Sequence, residues 1–177
     1  DPDAPPLKDQ AGNFEDEIRD HAPDLDNLTF VERVTYEVDA NWKTDVDNFN
    51  ECYHCPVAHP AFVDLVDMDT RIYRADPCGI YTCFYARAGR GDNKAYTYEE
   101  SGDARIGAWW RWPSLNFAVN PGEGNLAVLN MIPAGPEKTI EHLDFYLPTK
   151  EPSEQQRAVI DWWVKVFRPE DIALVES

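Results

Sequence analysis

The sequence predicts an α+β domain in which helices cover an antiparallel sheet. Three observations carry this. Apolar residues at helical spacing occupy two short stretches, near residues 41–54 and 153–176. Between them lie β-branched and aromatic runs of strand length. Gly and Pro clusters punctuate those runs at Gly89-Arg90-Gly91, Ser101-Gly102, Pro121-Gly122-Glu123-Gly124 and Pro133-Ala134-Gly135-Pro136. The order strand, helix, sheet, helix segregates the helices from the strands.

Residues 1–26 are rich in Pro and acids, with Leu7, Phe14 and Ile18 as their main apolar anchors. They read as an arm with one short helix over 12–20, preceding a domain over 27–177. Residues 28–38 are β-branched and partly alternating, so they form a strand. From Asn41 to His54 the apolar positions Trp42, Val46, Phe49 and Tyr53 are spaced for a helix, which Pro56 should break or distort. Strands are expected at 70–75, 79–88, 94–99, 106–111, 115–119, 125–132 and 139–147, as an antiparallel meander. Ser153 caps a last helix running toward Val166. Pro169 interrupts it, and 170–176 resume it.

With 16 Lys and Arg against 33 Asp and Glu, the net charge is −17. Such a chain repels phosphate, so nucleic acid and anionic membranes are poor partners. No apolar run approaches the roughly 20 residues of a membrane helix, and no signal-peptide pattern opens the chain. A cytoplasmic location follows as the expectation, with Cys52, Cys55, Cys78 and Cys83 as buried, reduced thiols. A structural zinc site on these four is the weaker reading, because the second pair has loose spacing within a strand pattern.

The densest chemistry lies in Glu51-Cys52-Tyr53-His54-Cys55-Pro56-Val57-Ala58-His59. Two imidazoles and one carboxylate with open positions form the facial triad of non-haem Fe(II) oxygenases. His54 and His59 are five residues apart, about 140° on a regular helix. Only a distorted turn near Pro56 would let them share a metal. The third ligand must come from elsewhere, and Asp171, just after Pro169, is the candidate singled out by position.

Asn41-Trp42-Lys43, Asn48 and Glu51-Cys52-Tyr53-His54 with His59 after four intervening residues, together with Arg168-Pro169-Glu170-Asp171-Ile172-Ala173-Leu174-Val175-Glu176-Ser177, resemble the catalytic domain of the Rieske-type non-haem iron oxygenases, the ring-hydroxylating alpha subunits. The resemblance covers about 28–177. It implies a helix-grip fold with His54, His59 and Asp171 as ligands of mononuclear Fe(II). It puts Glu51 at the acidic residue that bridges the iron to the Rieske cluster of a neighbouring subunit, and Asn48 near the iron. Glu at 51, where Asp is more common, resembles the subgroup acting on quaternary ammonium compounds such as carnitine or glycine betaine.

Substrate, O2, a reductase or ferredoxin and a homotrimeric full-length form are implied as partners. The [2Fe–2S] ligands, a Cys-x-His and a Cys-x-x-His pair, are absent from these 177 residues apart from Cys52-x-His54, so the chain reads as a catalytic-domain fragment. If the substrate is a cation, Trp110, Trp112 and Tyr81 are candidates for an aromatic cage. His142 reads as a surface or edge residue, and His21 carries no signal. Two other readings stay open: an oxygenase of aromatic substrates, and a non-enzymatic carrier of hydrophobic ligands with the same fold and no metal.

Overall fold

The computed structural model describes residues 3–22, 24–69, 74–78, 81–100 and 104–177. Two short helices, α1 (Leu7–Gln10) and α2 (Phe14–His21), precede strand β1 (Thr29–Val38). Three helices follow, α3 (Trp42–Phe49), α4 (Cys55–Ala58) and α5 (Pro60–Leu65). Then come β2 (Arg74–Cys78), β3 (Tyr81–Arg87), β4 (Arg105–Arg111), β5 (Leu115–Val119), β6 (Leu126–Gly135) and β7 (Lys138–Leu147). The chain closes with α6 (Glu154–Trp162), a π-helical segment (Trp163–Phe167) and α7 (Arg168–Val175).

The seven strands form one antiparallel sheet in the order β1-β7-β6-β5-β4-β3-β2. Strands β2 to β7 are the expected meander, and β1 pairs along the outside of β7. Alternation along each strand splits the apolar residues between two faces. One face carries Phe84, Ile106, Leu129, Met131 and Leu143, which pack with Val46, Leu65, Ile160 and Trp162 of the helices. The other carries Tyr81, Cys83, Trp109 and Leu126 and meets Ile18.

The amino-terminal segment therefore docks on the sheet through α2, with Ile18 and Ala22 buried. Gly107 permits this approach. A Cβ there would stand 2.4 Å from the Trp109 ring and 2.8 Å from that of His21. His21 stacks on Tyr85 and meets Trp109 edge-on, and its burial lowers its pKa.

Several expectations are corrected. Residues 94–99 form no strand. Tyr96 and Tyr98 do alternate inward, but their backbone is held by loop bonds: Asn93 Oδ1 accepts from the amides of Ala95 and Tyr96, and Tyr98 donates to Gly91 O. Period-two burial reports which side chains face the core, and an extended loop satisfies it without a ladder. The helix after Asn41 ends at Phe49 rather than His54, and Pro56 opens α4 at its first turn, where its missing N–H costs nothing. Cys52 and Cys55 are joined as a disulfide, so two of the four expected thiols are paired, and the pair is not available as thiolates for structural zinc. Expected strand residues 70–73, 79 and 80 lie outside the described residues.

The carboxy-terminal helix starts as predicted. Ser153 accepts from the Gln156 amide at 3.1 Å, and Gln156 Oε1 accepts from the Ser153 amide at 3.1 Å, a reciprocal capping box. Pro169 does not interrupt it. Proline lacks the N–H and its ring clashes with the preceding turn. The turn widens to the π segment, in which Arg168 N reaches back five residues to Trp163 O. Pro169 would donate next, to Val164 O. The Tyr36 hydroxyl donates to that carbonyl instead, at 3.2 Å.

Candidate metal centre

His54 ends the irregular stretch after α3, and His59 sits between α4 and α5 at φ −121°, ψ 64°. This non-helical residue turns the second imidazole back to the first, and their ring centroids are 5.0 Å apart. Asp171 projects from the first turn of α7. The π segment adds one residue per turn, so α6 and α7 can both present buried side chains to the sheet: Val159, Ile160 and Trp162 before it, Arg168 and Asp171 after it.

Among the described residues, His54, His59 and Asp171 are the one group of three or more His, Cys, Asp or Glu able to hold a metal, with ligand atoms within 4.8 Å of one another. Asp171 Oδ1 lies 2.9 Å from His59 Nε2 and 3.6 Å from His54 Nε2. Donors bonded to one ion at about 2.1 Å each are roughly 3–4 Å apart, which the two distances from Asp171 Oδ1 match. The other ring nitrogens are engaged. His59 Nδ1 is 2.9 Å from Glu170 Oε2, and His54 Nδ1 pairs with Glu51 Oε1. A carboxylate on Nδ1 selects the tautomer with its proton there, which leaves both Nε2 lone pairs for the metal.

The electrostatics agree with a cation site. The Asp171 carboxylate holds the His54 pKa up, against desolvation. Burial is the largest influence on His59 and pulls downward, but Asp171 and Glu170 outweigh it and the net direction is up. Burial likewise favours neutral Asp171, yet the two imidazoles and Arg168 hold it below the usual carboxylate range. Positive charge is thus already favoured where a metal would sit.

Asn48 donates to Asp171 Oδ1 at 2.7 Å from α3. Glu51 is half-exposed, with one oxygen toward His54 and the other accepting from the Tyr53 amide. The cavity above the triad is walled by Phe49, Phe62, Phe84, Ile106, Trp162 and Phe167.

Tyr81, Trp110 and Trp112 are not brought to this cavity. Tyr81 is buried on the opposite face and donates to Asn13 Oδ1. Trp110 packs as partly buried core, and Trp112, 60 % exposed, lies past β4 against Trp42 and Trp110. Sequence reasoning missed Phe49, Phe84, Trp162 and Phe167 as cavity walls, and missed the supporting acids Glu170, Asp45 and Glu141 with Arg168. For Glu141 a signal existed. It is in phase with Thr139, Leu143, Phe145 and Leu147, all buried on alternate positions of β7. Half-buried His142 pairs with Thr35 across β1 and β7.

Fold and site together define a class of domain: a helix-covered antiparallel sheet in which the irregular turns around α4 and the first turn of α7 bring two imidazoles and a carboxylate together. The family model described as ring hydroxylating alpha subunit (catalytic domain) matches residues 25–177, and the chain belongs to that family. It is 36 % identical over 177 residues to the carnitine monooxygenase oxygenase subunit of Escherichia coli (strain K12), covering all of this chain and 46 % of that protein. Chloroplastic choline monooxygenase of Atriplex hortensis is 30 % identical over 174 residues, covering 94 % of this chain and 36 % of that protein. A solved quaternary ammonium Rieske monooxygenase, described for carnitine oxidation and inter-subunit electron transfer, superposes with a TM-score of 0.88 at 33 % identity, over 99 % of this chain and 47 % of that one. The chain spans about half the length of these relatives or less. No helix among the described residues is long and apolar enough to cross a membrane.

Proposed function

We propose that this chain is the O2-activating catalytic domain of a mononuclear Fe(II) oxygenase acting on a quaternary ammonium compound. The observation that carries the reading is the convergence of His54 Nε2, His59 Nε2 and Asp171 Oδ1, with each imidazole's Nδ1 held by a glutamate. Two nitrogens and one oxygen on one side of an ion leave the opposite positions open. Bound there, Fe(II) would supply O2 activation. The likeness to carnitine and choline monooxygenases supports the substrate class.

The protein's own share is positioning and exclusion of water. Phe49, Phe84, Trp162 and Phe167 offer ring faces and edges to a substrate methylammonium group, which aromatic faces attract. Asn48 fixes Asp171 Oδ1. Glu51, reachable from solvent and bonded to His54, is suited to couple the site to an electron donor docked outside. That donor would be a Rieske cluster elsewhere in the whole protein, in a homotrimer, fed by a reductase or ferredoxin. We read the sheet with the α6–π–α7 helix laid across it as a helix grip, and residues 1–26 as an arm leading into the domain over 27–177.

The test is anaerobic Fe(II) analysis after desalting, on the wild type and on His54→Ala and Asp171→Ala. About one iron per chain, lost in both variants, is expected. O2 uptake with a supplied Rieske partner should then respond to carnitine, choline or glycine betaine and not to naphthalene-like substrates. No iron in the wild type would favour a carrier of hydrophobic ligands. Uptake with the aromatic compounds alone would favour an aromatic-ring oxygenase.

A further inference from the structure

Beneath the triad lies a buried ionic cluster that the proposed chemistry leaves unused. Arg168 is 1 % exposed, and Asp45 and Glu141 are both 0 % exposed. Arg168 Nε donates to Glu141 Oε2 at 2.7 Å, and Arg168 Nη2 pairs with both Glu141 Oε1 and Asp45 Oδ1. The third nitrogen, Nη1, stands 3.1 Å from Asp171 Oδ2 as an ion contact, at an angle outside a directed hydrogen bond. One guanidinium thus ties α3, β7 and α7 to a single carboxylate.

We propose that Arg168 is a positioning residue that holds Asp171 Oδ2 away from the metal and leaves Oδ1 as the single ligating oxygen. Two observations and the chemistry of the guanidinium support this. Oδ1 is the oxygen that faces both imidazoles and receives the Asn48 amide, whereas Oδ2 faces Arg168. The guanidinium is planar with a rigid donor fork. Glu141 takes its Nε–Nη2 edge and Asp45 shares Nη2, so its third nitrogen has a set direction. A buried ionic set of this kind is weak evidence for stability, since well-packed apolar replacements are often neutral or stabilising. Its use is better sought in position.

Were Oδ2 free, the carboxylate could turn and chelate with both oxygens, which would take up a coordination position that O2 or substrate needs. Arg168 cannot follow such a turn, because Glu141 on β7 and Asp45 on α3 hold it from two other elements. The arrangement also explains why the acid on the helix has an arginine one turn before it, at i and i+3 on the same face.

The inference rests on the metal reading above, and the experiment separates the two. In the whole protein, the Fe(II) dissociation constant is measured by anaerobic chelator competition, and the visible spectrum of the Co(II)-substituted form is recorded. The wild type is compared with Arg168→Lys, which keeps the charge and loses the fork. A triple variant, Asp45→Asn, Glu141→Gln and Arg168→Met, removes the cluster while keeping its volume. Circular dichroism reports folding.

Both variants are expected to fold, to show shifted Co(II) bands as Oδ2 joins the ion, and to bind Fe(II) with a dissociation constant moved from the wild-type value. A folded triple variant with wild-type affinity and spectrum would overturn the proposal and leave Arg168 a structural role only. Failure of both variants to fold would overturn it in the same way. A wild type that binds no metal would instead sink the metal reading itself.

Discussion

Replacing Glu170 by alanine probes whether the second glutamate sets the metal-ready tautomer of His59. The wild-type contact is 2.9 Å between Glu170 Oε2 and His59 Nδ1, with the carboxylate 29 % exposed and the imidazole 1 %. Without the acceptor, the Nδ1 proton has no partner in a buried ring, and the tautomer with its proton on Nε2 and no lone pair for a metal gains ground. Loss of such an outer partner typically weakens metal binding 10–100-fold. Because Glu170 is partly solvated, water can replace part of the contact, which places the effect near the lower end, about tenfold or about 1.4 kcal/mol. Anaerobic chelator competition against Fe(II) measures it directly. Glu170→Gln keeps a carbonyl acceptor within reach and should fall between wild type and alanine. An unchanged dissociation constant in a correctly folded Glu170→Ala protein would refute the tautomer argument and leave Glu170 as a surface acid that happens to touch the ring.

Two further predictions concern how the site is held. Gly107→Ala places a methyl group against Trp109 and His21; it should cost about 1–3 kcal/mol and loosen α2, read as faster proteolysis of the first 25 residues, and an unperturbed protein would mean that α2 does not dock as described. Tyr36→Phe removes the donor to the Val164 carbonyl opposite Pro169; leaving that carbonyl unpaired should cost about 1–3 kcal/mol in thermal or urea denaturation, and no change would show that water already satisfies it.

Much of the fold was legible because local patterns report burial. Thr29–Val38, Leu115–Val119 and Lys138–Leu147 lie where alternation put them, to within a residue. Ser153 caps its helix because the Ser-x-x-Gln pattern needs only adjacent backbone. The loop at 94–99 was misread because its inward tyrosines alternate as a strand does, while its hydrogen bonds run to Asn93 and Gly91. The three cage candidates lie away from the cavity beside the triad for a related reason. Aromatic composition does not say where along a strand the cavity lies: β4 lines it with Ile106 and Ala108, Trp110 is in phase with them but further along the strand, and Tyr81 is on the opposite face.

By itself, the sequence determined the fold class, the meander and the two histidines with a proline break between them, and the family pattern pointed to Asp171, which the structure brings beside them. Asp171 apart, these are short-range properties, written in spacings of two to five residues and in single caps and breaks. Only the tertiary structure decided that Pro169 is absorbed by a π segment, that Glu51 and Glu170 take the two Nδ1 atoms, and that Arg168, Asp45 and Glu141 close beneath Asp171. Charged residues normally read as solvated surface, because burying a charge alone is costly. Arg168 is compensated by acids 27 and 123 residues away in sequence, and no local pattern encodes a partner at that distance.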